Sequence, residues 1–260
     1  MKTNTAIMKF RQLTGLFFVI GAILVNIPYT LLMFTFDYPD ILRAPVGQIL
    51  TQFQLGGKPL IYTWLAFAWV GLPMLFGAIM LKRILDSEHS YFLEMATTIG
   101  VIGFVVQILG LLRWVFVVPV MARLYTDPAT TATTRDSLST VFIGINQYGG
   151  VVLGEHVGQL FIIIWMSTIS AIIYKSPLFA RWVAWLGWIA SAIYLLAQTE
   201  LFATAIPGFP IISWAGLSGS LLWLLWMIVI GAFLLRNKAE STQTEAHWEI
   251  AEKLNVGERP

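Results

Sequence analysis

Three ionisable side chains stand inside stretches that are otherwise apolar. Arg113 lies within Gln107-Ile-Leu-Gly-Leu-Leu-Arg113-Trp-Val-Phe-Val-Val-Pro119, and Glu155 and His156 lie within Gly150-Val-Val-Leu-Gly154-Glu155-His156-Val-Gly158-Gln159. A guanidinium is suited to holding an anionic group, a carboxylate to orienting that guanidinium or accepting a proton, and an imidazole to changing charge near neutral pH. Such groups are costly in apolar surroundings, about 2.5 kcal/mol or more for a charge near a bilayer centre. They are therefore expected to face inward and to satisfy one another.

The chain must first supply elements that place them. Of its 260 residues, 57% are hydrophobic and 12% charged, against about 45–50% and 25% in a soluble domain. With a mean hydropathy of +0.75, a water-soluble globule is excluded. The apolar residues fall in six runs, Leu13 to Phe34, Leu60 to Leu81, Met95 to Met121, Val151 to Tyr174, Trp182 to Phe202 and Ile211 to Leu235, each near the length of about 20 residues that crosses a bilayer. Lipid offers the backbone no hydrogen-bond partner, and the runs lack the alternation of a membrane barrel. The expected fold is all-α: a six-helix bundle integral to the membrane over residues 1–236, followed by a polar tail over 237–260. The first run, about 22 residues long with no small-residue cleavage site, reads as a retained span rather than a signal peptide.

Charge gives the orientation. Lys2, Lys9, Arg11, Lys82, Arg83, Lys175, Arg181, Arg236, Lys238, Lys253 and Arg259 fall on one side of the six spans, against Arg43, Lys58, Arg123 and Arg135 on the other. The positive-inside rule then places both termini in the cytoplasm, in a bacterial inner membrane. Net charge is only +2 and the basic residues form no patch, so nucleic acid is excluded as a partner; membrane lipids are the expected surroundings.

Two outer loops, Thr35 to Pro59 and Ala122 to Gly150, are long enough to carry structure. Val46, Ile49, Leu50 and Phe53 recur at i, i+3, i+4 and i+7, as do Leu138, Val141, Phe142 and Ile145, which predicts a short amphipathic helix in each. The tail, with Glu245, Glu249 and Glu252 among Trp248, Ile250 and Leu254, reads as frayed helix or disorder. Gly150, Gly154 and Gly158 form a stripe that lets backbones approach, packing spans within one chain or, as the alternative, a homo-oligomer. Pro28, Pro73 and Pro119 are expected to kink their helices.

Depth links the charges. Arg113 lies about five residues past the middle of span three, roughly 8 Å outward, and Glu155 about seven residues before the middle of span four, roughly 10 Å outward. This predicts a direct Arg113–Glu155 ion pair in the outer half. Gln159 shares a helix face with Glu155; Asn26, Gln107, Gln198 and Glu200 complete a polar cluster with His156. The bland reading of this cluster is a network that fixes helix register and binds nothing.

Catalytic patterns are weak. Gly216-Leu-Ser-Gly219 fits the Gly-x-Ser-Gly of rhomboid proteases, but after Ser218 only His247 remains, in the tail. No cysteine is present, which removes disulfides and thiolate sites. Neighbouring Glu155 and His156 point about 100° apart on a helix, and neither metal nor haem is expected of one intramembrane histidine with His89 on the other side. No cofactor is expected.

The segments Phe36-Asp-Tyr-Pro-Asp-Ile-Leu-Arg43, Gly110-Leu-Leu-Arg-Trp-Val-Phe-Val-Val-Pro-Val-Met-Ala122 and Gly149-Gly-Val-Val-Leu-Gly-Glu-His-Val-Gly-Gln159 resemble a bacterial family of multi-pass proteins catalogued as a domain of unknown function. The resemblance covers roughly residues 10 to 236 and implies a bacterial inner-membrane location but no catalytic role. The leading expectation is a protein that binds or moves a small polar or amphipathic molecule, with Arg113, Glu155, His156, Gln159, Glu200, Gln107 and Asn26 as ligand-binding candidates. The alternatives are an intramembrane enzyme acting on a lipid or quinone, with His156 or Glu155 as general base, and a structural or partner-binding membrane protein.

Overall fold

The computed structural model describes residues 2–85 and 91–256, with side chains over residues 7–85 and 91–236. His89 and the side chains of the tail, His247 and the Glu245–Leu254 pattern among them, lie outside the described residues. Among the described residues eleven α-helices follow one another: α1 (Lys2–Leu24), α2 (Asn26–Phe36), α3 (Val46–Trp69), α4 (Leu72–Leu85), α5 (Tyr91–Phe116), α6 (Val118–Thr126), α7 (Ala132–Ile145), α8 (Gly158–Lys175), α9 (Arg181–Leu196), α10 (Gln198–Ala203) and α11 (Trp214–Val256). A tight turn at Asp40–Arg43 precedes α3, and a wide-turned stretch at Asn146–Val157 joins α7 to α8. The backbone of α11 thus continues through the polar tail to Val256.

Among the described residues several of these helices join into six segments long and apolar enough to cross a membrane: 7–36, 46–85, 91–126, 132–175, 181–203 and 214–236. The joints have a common cause. Breaks at Val25, Val70 and Val117 stand just ahead of Pro28, Pro73 and Pro119, where the proline ring removes a hydrogen bond and crowds the carbonyl four residues earlier. Inside α3, Gly57 adopts φ 56°, ψ −148°, two residues before Pro59. That conformation is open to glycine and closed to other residues.

The exposed residues are those lipid would solvate. Leu16, Ile20, Ile23, Ile27 and Leu31 follow one face of α1 and α2 and are all exposed, as expected of a helix whose outer solvent is hydrocarbon. Gly15 packs against Gly231 and Leu234, so the first and last spans run to the same end of the bundle. The opposite end is called distal below.

Packing divides along this axis. One core joins α1, α4, α5, α8, α9 and α11 around Phe18, Phe104, Trp165 and Trp226. A second, distal core gathers Leu32, Phe36, Ile41, Ile49, Leu50, Phe53, Trp64, Trp114, Met121 and Phe142. The helices expected in the two long loops supply much of it. Ile49, Leu50 and Phe53 of α3 are buried, and on α7 Phe142 is buried while Val141 faces out. Each runs on into the span that follows, which is why the second and fourth segments reach 40 and 44 residues, about twice what a bilayer requires. The excess length at the distal end is what the second core covers.

Candidate functional site at the distal end

The site is built on the seam between α5 and the chain from Asn146 through α8. Gly103 meets Gly158 and Phe161, Gln107 packs its stem on Gly158, Gly110 lies against the backbone of Gly154, and Arg113 crosses Gly150. A Cβ at Gly110 would stand 2.6 Å from the Cα of Gly154, so two bare backbones touch here. The Gly150–Gly154–Gly158 stripe is thus used within one chain.

Between Asn146 and Val157 the backbone bonds follow the π pattern, one residue longer than in an α-helix. Such stretches are rare, and they recur at functional sites. This one carries Glu155 and His156. Its wider turn brings residues four apart close to one line, which keeps Gly150 and Gly154 on the α5 side.

Arg113 and Glu155 do not form the direct ion pair that depth arithmetic predicts. The seam is staggered by about one turn: Arg113 is level with Gly150, and the neighbour of Glu155, Gly154, is level with Gly110. Arg113 donates from Nη1 to the carbonyl of Gly110 and from Nη2 to Oδ1 of Asn146 at 3.1 Å. Its guanidinium lies 5.2 Å from the centre of the Trp114 ring, and its Nε is sealed with no partner. Because Gly154 faces α5, Glu155 points about a quarter-turn away from that helix. Each charge remains within electrostatic reach of the other without touching it.

Glu155 instead lies within electrostatic reach of Tyr38, ahead of the Asp40–Arg43 turn, and Tyr194 on α9. Among the described residues the Glu155 carboxylate makes no hydrogen bond, and neither do the hydroxyls of Tyr38 and Tyr194. The carboxylate oxygens are not sealed as Arg113 Nε is. Burial, and then the nearby Glu155 charge, push the Tyr38 phenol up from its ordinary range, which keeps its proton on.

Beside this group runs a hydrogen-bonded chain. His156 Nδ1 meets Oε1 of the buried Gln198 at 2.6 Å, and Gln198 Nε2 donates to Gln159 Oε1 at 2.9 Å. With Gln198 donating to Gln159, the amide oxygen faces the ring, so the assigned tautomer carries its proton on Nδ1 and leaves Nε2 as an acceptor. The His156 ring packs edge-on against Phe202 at 5.6 Å.

Two cross-links tie the loops above. Glu200 is ion-paired to Arg43, which also holds Asp40 at 3.1 Å, and Gln147 Nε2 donates to Thr204 Oγ1 at 2.8 Å. The Arg43 side chain is 60% exposed, so solvent screens its pairing. Arg43→Gln is expected to lower unfolding stability by under about 1 kcal/mol, read from denaturation in one detergent; a larger loss would show that the pair is shielded.

Of the residues expected to cluster, the structure joins His156, Gln159 and Gln198 directly and sets Glu155 beside them. Gln107 lies on the seam, and Glu200 belongs to the loop ion pair. Asn26 is exposed on α2, its amide turned back to the carbonyl of Ala22 at 2.8 Å. Sequence reasoning missed Tyr38, Tyr194, Asn146 and Arg43. Tyr38 and Arg43 stand within the Phe36–Arg43 segment, whereas nothing local marks Tyr194 or Asn146. Among the described residues no group of three or more His, Asp or Glu side chains is placed to hold a metal ion. A concavity lined by Tyr174, Lys175, Arg181 and their neighbours lies toward the termini and shares none of these residues.

Among the described residues, six helical segments long and apolar enough to cross a bilayer define a multi-pass membrane protein. Residues 13–231 match the profile of DUF4386, a domain of unknown function, and the chain belongs to that family. No curated protein and no solved structure matches it.

Proposed function

We propose that the distal group around Glu155 binds or moves a small polar or amphipathic molecule, from a bacterial inner membrane with both termini in the cytoplasm. One observation carries this reading: a carboxylate inside the bundle has no hydrogen-bond partner among the described residues, while the guanidinium nearby is bonded to Gly110 and Asn146 instead. A polar group held inside a protein without a hydrogen bond is an unfavourable arrangement. A bound polar group would satisfy it. Arg113 then acts as fixed counter-charge, held by Gly110 and Asn146, and His156, Gln159 and Gln198 form one wall.

The chain's basic residues favour the orientation by the positive-inside rule. A second reading, an intramembrane enzyme acting on a lipid or quinone, is favoured by His156, whose Nδ1 is anchored on Gln198 and whose Nε2 is left free to take a proton.

Native mass spectrometry of the protein released from its own membrane tests binding. Wild type is expected to carry a small-molecule adduct that Glu155→Ala and Arg113→Ala each lose while still eluting as folded protein. Identical spectra from wild type and both folded variants would contradict the proposal.

A further inference from the structure

We infer that the concavity at the end of the bundle that carries the termini, between the last residue of α8 and the first of α9, holds the phosphate group of an anionic phospholipid. This site is separate from the distal group and does not depend on it. The cavity has a volume of about 490 Å³, within the range of about 300–1,000 Å³ of small-ligand sites. Lys175 and Arg181 line it, and no lining residue is acidic. Neither cation is paired with a carboxylate or hydrogen-bonded to any described residue. Lys82, at the same end, is by contrast held by Glu94 at 2.8 Å. The Arg181 guanidinium lies 5.4 Å from the centre of the Tyr174 ring, a contact that steadies the side chain without using its N–H groups. Ser176 adds a third donor, because its Oγ accepts from the backbone N–H of Leu178 at 3.2 Å and keeps its own hydrogen to give.

The turn that carries these donors is fixed before any ligand arrives. Ser176 N donates to the carbonyls of Ile172 and Ile173, and the buried Phe179 packs on Phe233 with ring centres 5.9 Å apart. Two cations and a hydroxyl donor thus face a space that a group bearing only acceptors and negative charge would satisfy, as the two free oxygens of a phosphodiester do. A soluble phosphate offers the same oxygens, and two features favour the lipid. The cavity lies between 132–175 and 181–203, two segments able to cross a bilayer, and a basic pocket between spans at that level meets headgroups. From the lining Tyr174 a run of rings leads along the spans, to Trp188 at 5.7 Å and from there to Trp185 at 5.2 Å. Trp185 is exposed, so the run gives an acyl chain a surface to lie on.

Native mass spectrometry of the full chain in detergent, titrated with phosphatidylglycerol, phosphatidylcholine and phosphatidylethanolamine of identical acyl chains and with inorganic phosphate, tests the inference. Saturable binding of phosphatidylglycerol ahead of the two zwitterionic lipids is expected. Arg181→Gln is expected to weaken it about fivefold or more, the size of one basic residue's attraction to an anionic headgroup. Arg83→Gln removes the same charge from an exposed position at the same end that lines no part of the cavity, and it is expected to change the affinity by less than about twofold because distance and salt screen it. Should Arg181→Gln not fold, Lys175→Gln is expected to weaken binding in the same direction. Equal binding of phosphatidylglycerol and phosphatidylcholine, or equal losses in Arg181→Gln and Arg83→Gln, would overturn the inference. Saturation by inorganic phosphate with no preference among the lipids would overturn the lipid assignment and make the ligand a soluble phosphate.

Discussion

Gly110→Val is expected to force spans three and four apart and to cost about 3 kcal/mol or more of stability, the upper end of overpacking effects. A side chain there meets Gly154 Cα at 2.6 Å, Gly149 O at 3.0 Å and Gly154 N at 3.1 Å, all backbone atoms that no rotamer change can move. The seam would have to open along its length, taking with it the Gly150 backbone that covers the Arg113 guanidinium. Gly144→Ala supplies the control, because a Cβ on that glycine of α7 meets nothing within 4 Å. It is expected to be neutral or stabilising by up to about 1 kcal/mol through helix propensity. The two variants are compared by denaturant unfolding in the same detergent, and similar midpoints would refute the close seam.

Trp114→Ala is expected to cost about 3–5 kcal/mol, as when a large buried aromatic is truncated. Trp114 is 1% exposed. Its ring stacks on Trp64 at 4.8 Å with planes 9° apart and on Phe53 at 5.8 Å, while Phe36 meets it edge-on at 5.5 Å. Truncation leaves rings from α2 and α3 facing a void, and these contacts are lost whether the outer solvent is lipid or water. It also removes the surface beneath Arg113. Any adduct seen with wild type is therefore expected to weaken in this variant even under conditions where the fold survives. A loss below about 1 kcal/mol would mean that the distal core collapses to fill the gap.

The sequence-level expectations divide along physical lines. The six spans were legible because hydrocarbon imposes one demand on about 20 consecutive residues, and Pro28, Pro73 and Pro119 marked the helix breaks because ring geometry is local. The burial of Ile49, Leu50, Phe53 and Phe142 followed from helical periodicity. The pairing of Arg113 with Glu155 did not follow. Counting depth from span midpoints assumes uniform helices in a common register, and here the Asn146–Val157 stretch is wound more widely and the glycine seam sets the stagger. A shift of one turn is enough to hand the guanidinium to Asn146. Likewise Tyr38 and Tyr194 come within electrostatic reach of Glu155 only through tertiary packing, which no spacing along the chain reveals. The Gly149, Gly150, Gly154 and Gly158 cluster was the available sign that this segment departs from ordinary helix, since bare positions permit close backbone contact.

The central claim is that a carboxylate within the bundle is left open for a guest while the nearby guanidinium is occupied by its own chain. A structure of the protein in lipid nanodiscs, at a resolution that shows side chains and bound molecules, tests it most directly. The account predicts Arg113 on Gly110 and Asn146, Glu155 apart from it, and non-protein density within hydrogen-bond reach of the Glu155 carboxylate. A direct Arg113–Glu155 ion pair filling that space would contradict it.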